Sequence, residues 1–113
     1  MRIEAQPSRV FRIYDAPKLD PILVVMQDLG PGVGRLLVEC YGDAWSGYWG
    51  ATGERSIEQF LLSCSADYIA GKMLGGQHKR NKQSQAYILR IIEAVQTALR
   101  PVPQHNPQLS EKS

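Results

Sequence analysis

The hydrophobic pattern of this sequence changes its period once, close to residue 55, and that change constrains the fold more than any other feature. Before it, short segments rich in β-branched and aromatic residues are separated by glycine and proline. After it, apolar residues recur at the spacing of one helix face. Strands followed by helices, rather than alternating with them, are typical of an α+β fold. We therefore expect an α+β domain with a three- or four-stranded antiparallel sheet, followed by two helices packed on one face.

Three segments of the first half have strand character, namely residues 10–14, 22–26 and 36–41. The turn DLGPGVG (residues 28–34) joins the second segment to the third, and this short connection predicts an antiparallel hairpin. The third segment carries apolar residues on both of its faces. This indicates that something covers the second face of the sheet, and a homodimer is one candidate.

The most unusual segment is residues 42–53, where four glycines and three large aromatic residues stand together. It can form a bent fourth strand or a short helical turn. Its aromatic residues can close the sheet against the helices, or they can serve a binding interface. We expect at least two of the three in the core and Trp45 as the exposed one. The candidate partner-binding residues are Asp43, Trp45, Ser46, Tyr48 and Trp49.

Two helices are expected after this segment. Ser56 and Gln59 have the spacing of a capping box, so they predict a first helix that ends at Gly75-Gly76. Ser84 can cap a second helix, which ends before Pro101. Residues 8–100 are then one domain, and we expect residues 101–113, rich in Pro, Gln, Asn and Ser, to form a disordered tail.

The positive charge is concentrated in the helical half. The whole chain has a net charge of only +2, which is low for a dedicated nucleic-acid binder. Between residues 72 and 100, six basic residues stand against one acidic residue, a local net charge of +5. This pattern is either a solvated helix–helix loop or a phosphate-binding face. The candidate nucleic-acid-binding residues are Lys72, Lys79, Arg80, Lys82 and Arg90.

Residue types that carry catalysis or bind metals are sparse and scattered. Cys40 and Cys64 lie in apolar stretches, which favours two buried thiols, with a disulfide between them as the alternative. His78 and His105 have no neighbouring Cys, His or carboxylate at ligand spacing. The carboxylates that could act as acid and base have no evident pairing: Asp43, Glu58 and Asp67. We therefore expect no enzyme activity, no cofactor and no metal site.

The longest purely apolar run is Ile22–Met26, far shorter than the roughly 20 residues that span a membrane. The first residues also lack the apolar core of a secretory signal. We therefore expect a cytoplasmic protein with no membrane partner.

Three segments of the chain resemble small proteins encoded in phage and prophage genomes. They are GDAWSGYWG (residues 42–50), Phe60 with DYIA (residues 67–70), and YILRI running on to AVQ (residues 87–96). The resemblance extends over roughly residues 10 to 100. It implies a genomic setting, an infected or lysogenic bacterial host, and an accessory role such as inhibition of a host-defence or DNA-processing machine.

Two functions follow as expectations. The first is a non-enzymatic protein that binds a host or phage protein, because the aromatic segment suits an apolar interface. The alternative is a nucleic-acid-binding module that uses the basic face of the helices, with an exposed aromatic residue as a stacking platform.

Overall fold

A computed structural model of the chain describes residues 1–75 and 82–100. Four strands come first: β1 (Arg9–Ile13), β2 (Ile22–Gly30), β3 (Val33–Cys40) and β4 (Asp43–Trp49). Three helices follow: α1 (Ile57–Ser63), α2 (Ala66–Met73) and α3 (Lys82–Leu99). The strands form one antiparallel sheet in the order β1-β2-β3-β4. The α+β class is confirmed, and residues 43–49 are the fourth strand; the predicted tail lies outside the described residues.

Tight turns connect β2 to β3 and β3 to β4, whereas residues 14–21 form a longer loop between β1 and β2. Gly30, Pro31 and Gly32 lie at the turn between β2 and β3, beside an irregularity in the register of the pair. Tyr41 and Gly42 form the two-residue loop between β3 and β4, with φ angles of +52° and +82°. Positive φ at both central residues is what a type I′ hairpin turn requires, and that turn matches the natural twist of the strands. The predicted third strand therefore ends at Cys40, one residue earlier than its apolar pattern indicates.

The predicted first helix is two helices with a break at Cys64 and Ser65. The capping box at Ser56 is present as expected, because its hydroxyl accepts from the backbone of Gln59 and the Gln59 side chain accepts from the backbone of Ser56. Ser65 caps α2 in the same manner by accepting from the backbone N–H of Tyr68. The sheet is thus followed by three helices.

All three helices lie on one face of the sheet, which we call the inner face. The core between the two layers is built from every second residue of β2, β3 and β4 together with the apolar stripes of the helices. The largest fully buried side chains are Ile22, Val24, Leu36, Val38, Leu61, Ile69, Met73, Leu74, Ile88, Ile91, Ile92 and Val95.

Three polar side chains, those of Asp28, Arg9 and Gln96, position the helices over this core. The Asp28 carboxylate accepts a 2.7 Å hydrogen bond from the backbone N–H of Ile57, so β2 holds the start of α1. Arg9 of β1 forms an ion pair with Glu58 of α1. The buried amide of Gln96 on α3 donates to the carbonyls of Leu61 and Cys64, at 3.0 and 2.8 Å. Those carbonyls belong to the end of α1, where no further helical turn supplies donors.

Candidate protein-binding surfaces

The strand geometry of β4 divides the aromatic segment between the two faces of the sheet. Successive side chains of a strand point to opposite faces. Trp45, Gly47 and Trp49 therefore face the helices and are buried, whereas Asp43, Ala44, Ser46 and Tyr48 are exposed. The expectation that two of the three aromatic residues lie in the core agrees with this burial.

The expectation that Trp45 is the exposed aromatic residue is wrong. Only 6% of Trp45 is accessible, and its ring packs edge-on against Tyr87 of α3 at 5.7 Å between centroids. Trp49 is 4% accessible, lies 5.9 Å from the Phe60 ring, and donates from its indole N–H to the Tyr68 hydroxyl at 3.3 Å. Both indoles join the sheet to the helices, so neither is available at the surface of the folded chain.

Ala44, Ser46 and Tyr48 lie on the sheet face opposite the helices, which we call the outer face, whereas Asp43 is exposed at the start of β4. Tyr48 is 50% accessible, and the Arg35 guanidinium lies 5.8 Å from the centre of its ring. Ser46 lies in the same cross-strand row as Leu37, Val25 and Val10. Leu37 and Val10 are 37% and 58% accessible. The outer face therefore has an apolar central row that no part of the described chain covers.

Two further rows flank the central row. One contains Arg12, Leu23, Glu39 and Ala44, and the other contains Gln27, Arg35 and Tyr48. Of the residues on this face, Ser46 and Tyr48 are among the partner-binding residues expected from sequence, and Arg35, Leu37 and Glu39 are not. Apolar residues on both faces of β3 were the signal that pointed to them.

Three of the five basic residues assigned to a nucleic-acid face lie on the last two helices. Lys72 of α2 and Lys82 and Arg90 of α3 are exposed. The Arg90 guanidinium lies 6.0 Å from the centre of the Tyr87 ring. Lys79 and Arg80 lie outside the described residues.

Cys40, Tyr87 and Asp20 form a small polar cluster at the end of the sheet. The Tyr87 hydroxyl donates to the Cys40 sulfur at 3.3 Å, and the Cys40 thiol donates to the carbonyl of Asp20 at 3.4 Å. Burial raises the pKa of Tyr87 well above its usual range, and its hydrogen bond to Cys40 adds to the rise. Cys40 is buried and Cys64 half-buried, and both thiols are free. The cluster ties α3 to β3, and the raised pKa of Tyr87 keeps its hydroxyl protonated at neutral pH.

A groove separates the β1–β2 loop from α3. Its volume is about 510 Å³, and its lining is mostly apolar. The loop wall consists of Ile13, Tyr14, Asp15, Ala16, Pro17 and Leu19, and the helix wall consists of Arg90, Glu93, Ala94, Thr97 and Ala98. The two walls are distant in sequence, so no local pattern predicted this groove.

The β1–β2 loop, which supplies this wall, has an unusual backbone. Asp15 and Lys18 have φ angles of +64° and +63°, in a region that residues other than glycine seldom occupy. Such conformations persist where the surrounding structure holds them in place, and they occur often at binding sites. Tyr14, beside Asp15, is among the large hydrophobic residues that remain exposed.

Across residues 1–75 and 82–100, no group of three or more His, Cys, Asp or Glu side chains is arranged to hold a metal ion. Among the same residues, no helix has both the length and the apolar character that crossing a bilayer requires.

Comparison with known proteins gives one match. A family model described as a phage family matches residues 1–83. No curated protein and no solved structure matches the chain.

Proposed function

The chain belongs to this phage family, and we propose that it is a non-enzymatic accessory protein which acts by binding a second protein of the phage or its bacterial host. A host-defence enzyme or a DNA-processing machine is the kind of partner that suits a phage accessory protein. The single observation that carries the proposal is the groove between the β1–β2 loop and α3. Concave, mostly apolar sites with a few polar groups are typical of ligand-binding sites in proteins.

The shape of the groove favours a peptide segment of the partner as its occupant. The floor and walls offer small or flat apolar groups, including Ala94, Ala98 and Pro17, which leave room for a large apolar side chain. Buried apolar anchors of this kind contribute most of the affinity at protein interfaces.

The charges at the rim favour a basic residue beside that anchor. Asp15 lies on the loop wall and Glu93 on the helix wall. The salt bridges of the described residues involve neither of these carboxylates. Arg90, the cation of the lining, lies against the Tyr87 ring. We therefore expect a partner segment with one large apolar residue flanked by Lys or Arg.

A peptide-display selection on the full chain tests this proposal. We expect enriched peptides to share an apolar anchor next to a basic residue, and to bind in a fluorescence-anisotropy titration. Ala98→Arg fills the groove and adds a positive charge, so it should weaken that binding at least about tenfold. Ala86→Arg is the matched control, because Ala86 is also an exposed alanine on α3 but lies outside the groove lining. Selected peptides that bind both variants alike, or no enrichment at all, would contradict the proposal.

The alternative function is nucleic-acid binding by the basic face of the helices. The exposed side chains of Lys72, Lys82 and Arg90 favour it. Anisotropy titrations with single-stranded DNA, duplex DNA and RNA at two salt concentrations test it. Binding that survives physiological salt and falls when Lys79, Arg80 and Lys82 are neutralised together would favour this alternative over the protein partner.

A further inference from the structure

Charged side chains on the outer face lie on either side of its apolar central row. This arrangement indicates a partner different from the peptide proposed for the groove. On β3, Arg35 and Glu39 lie two residues to either side of Leu37 and on the same face of the strand. Leu37 itself belongs to the apolar central row. One end of the face is therefore positive along β3, and the other end is negative.

Side-chain size follows the same pattern on the neighbouring strand. On β4, the large Tyr48 and the small Ala44 lie two residues to either side of Ser46. Register places Tyr48 beside Arg35 and Ala44 beside Glu39. Along β3 and β4, Arg35 and Tyr48 thus form a bulky positive end, and Glu39 and Ala44 form a flat negative end. The row that contains Leu37 and Ser46 lies between these two ends.

We propose that a second copy of this chain packs on the outer face, around a two-fold axis that runs along the central row Val10–Val25–Leu37–Ser46. Rotation about this axis places the central row of one copy on the same row of the other. It also exchanges the two ends, so Glu39 of each copy opposes Arg35 of the partner subunit, and Tyr48 opposes Ala44 of the partner subunit. A two-fold interface of this kind requires one surface that is complementary to itself.

The dimensions of the face are compatible with a small dimer interface. Four strands at a spacing of about 4.8 Å and about seven residues at about 3.3 Å per residue give a face of about 19 by 23 Å. With its side chains, such a face buries roughly 600 Å² per copy, the lower end of stable interfaces. We therefore expect dissociation in the micromolar range. The groove lies on the helix side of the sheet and stays open in this dimer.

Sedimentation equilibrium of the full chain, from about 1 µM to about 500 µM, measures the dimer directly. We expect the wild type to be a dimer at the upper end of this range. Leu37→Glu places two carboxylates at the centre of the interface, so it should weaken the dimer at least about 100-fold. Because Leu37 is already partly exposed in one copy, circular dichroism should show an unchanged fold.

Charge reversal tests the two-fold axis itself. Glu39→Arg or Arg35→Glu alone sets like charges against each other and should weaken the homodimer about tenfold. The double variant Arg35→Glu with Glu39→Arg restores opposite charges and should dimerise like the wild type. A mixture of the two single variants should form a heterodimer, because one then carries two arginines and the other two glutamates at the opposed positions. Glu54→Arg, an exposed loop residue outside the face, is the control for the change in net charge.

Three results would overturn the dimer: a monomeric wild type at the highest concentration, a dimer that Leu37→Glu leaves intact, or single charge reversals that the double variant does not rescue. If the chain is monomeric but still binds the selected peptides in an Ala98-dependent manner, the dimer is wrong and the proposed function is supported. If the chain dimerises but binds no peptide, the dimer is supported and the proposed function is wrong.

Discussion

The two faces of β4 differ in their surroundings, although both come from the same seven residues. The inner face presents Trp45, Gly47 and Trp49 to the helices, and the outer face presents Ala44, Ser46 and Tyr48 to solvent. Aromatic residues occur on both faces, so residue type alone does not separate core from surface here. The alternation of side chains along β4 separates core from surface, because it decides which side chains contact the helices.

The inner face of β4 has no space for a side chain at Gly47. A Cβ atom at Gly47 would lie 2.6 Å from the Trp49 ring and 2.8 Å from the Met73 sulfur. The absence of a side chain at Gly47 therefore allows Trp49 and α2 to pack closely together. Nothing comparable limits Ser46, whose side chain points away from the helices.

The largest expected difference between the faces concerns the indoles. Trp49→Ala or Trp45→Ala removes a buried ring and should lower the free energy of unfolding by about 3–5 kcal/mol. Tyr48→Ala removes a half-exposed ring and should cost less than about 1 kcal/mol. Urea unfolding followed by circular dichroism measures all three. Equal losses for Trp45→Ala and Tyr48→Ala would contradict the division of β4 into two faces.

Gly47→Ala tests the close approach of Trp49 and Met73. We expect a loss of about 1–3 kcal/mol, because the added methyl group must displace an indole ring or part of α2. Ser46→Ala, one residue away on the outer face, should change stability by less than about 0.5 kcal/mol. If Gly47→Ala is as stable as Ser46→Ala in the same urea titration, the space at Gly47 is not a constraint.

Much of the fold was predictable from sequence because its signals are local. The β-branched segments, the hairpin glycines and the capping box at Ser56 each specify a few neighbouring residues, and together they indicated the α+β class. The break at Ser65 was missed because apolar residues continue at helical spacing across it, with no proline or glycine to mark an end.

The surfaces were less predictable because they depend on phase and on distant contacts. The sequence extends the third strand to Tyr41 and leaves residues 42–53 open between a bent strand and a helical turn. It therefore does not decide which aromatic side chains face the helices, and the polar neighbours Asp43 and Ser46 suggest the wrong face for Trp45. The groove brings Tyr14 and Asp15 beside Glu93, and only the packing of α3 against the sheet creates that neighbourhood.

Alkaline pH should weaken the contact between the inner face and α3. Burial holds the pKa of Tyr87 above the ordinary value of about 10 in the folded chain only. The unfolded chain therefore releases this proton first, and the stability that the protonated phenol contributes is complete below about pH 10 and is lost as pH rises towards the folded value. Urea unfolding measures the free energy of unfolding at each pH between 8 and about 11.5. This free energy should fall less steeply with pH for Tyr87→Phe than for the wild type. Parallel curves for the two proteins would show that the Tyr87 proton does not contribute.

The smallest expected effect concerns the turn that sets the phase of β4. Tyr41 occupies a positive-φ position where asparagine is favoured, since an Asn-Gly pair is typical of a type I′ turn. Tyr41→Asn should therefore raise the free energy of unfolding by about 0.5 kcal/mol and the melting temperature by about 2–3 °C. Tyr41→Val should lower both, because a branched side chain is disfavoured in this conformation. Thermal unfolding of the two variants beside the wild type decides the order. If Tyr41→Asn is less stable than the wild type, the exposed tyrosine stabilises the turn by a contact of its own. The backbone conformation at Tyr41 is then not what places Trp45 on the inner face.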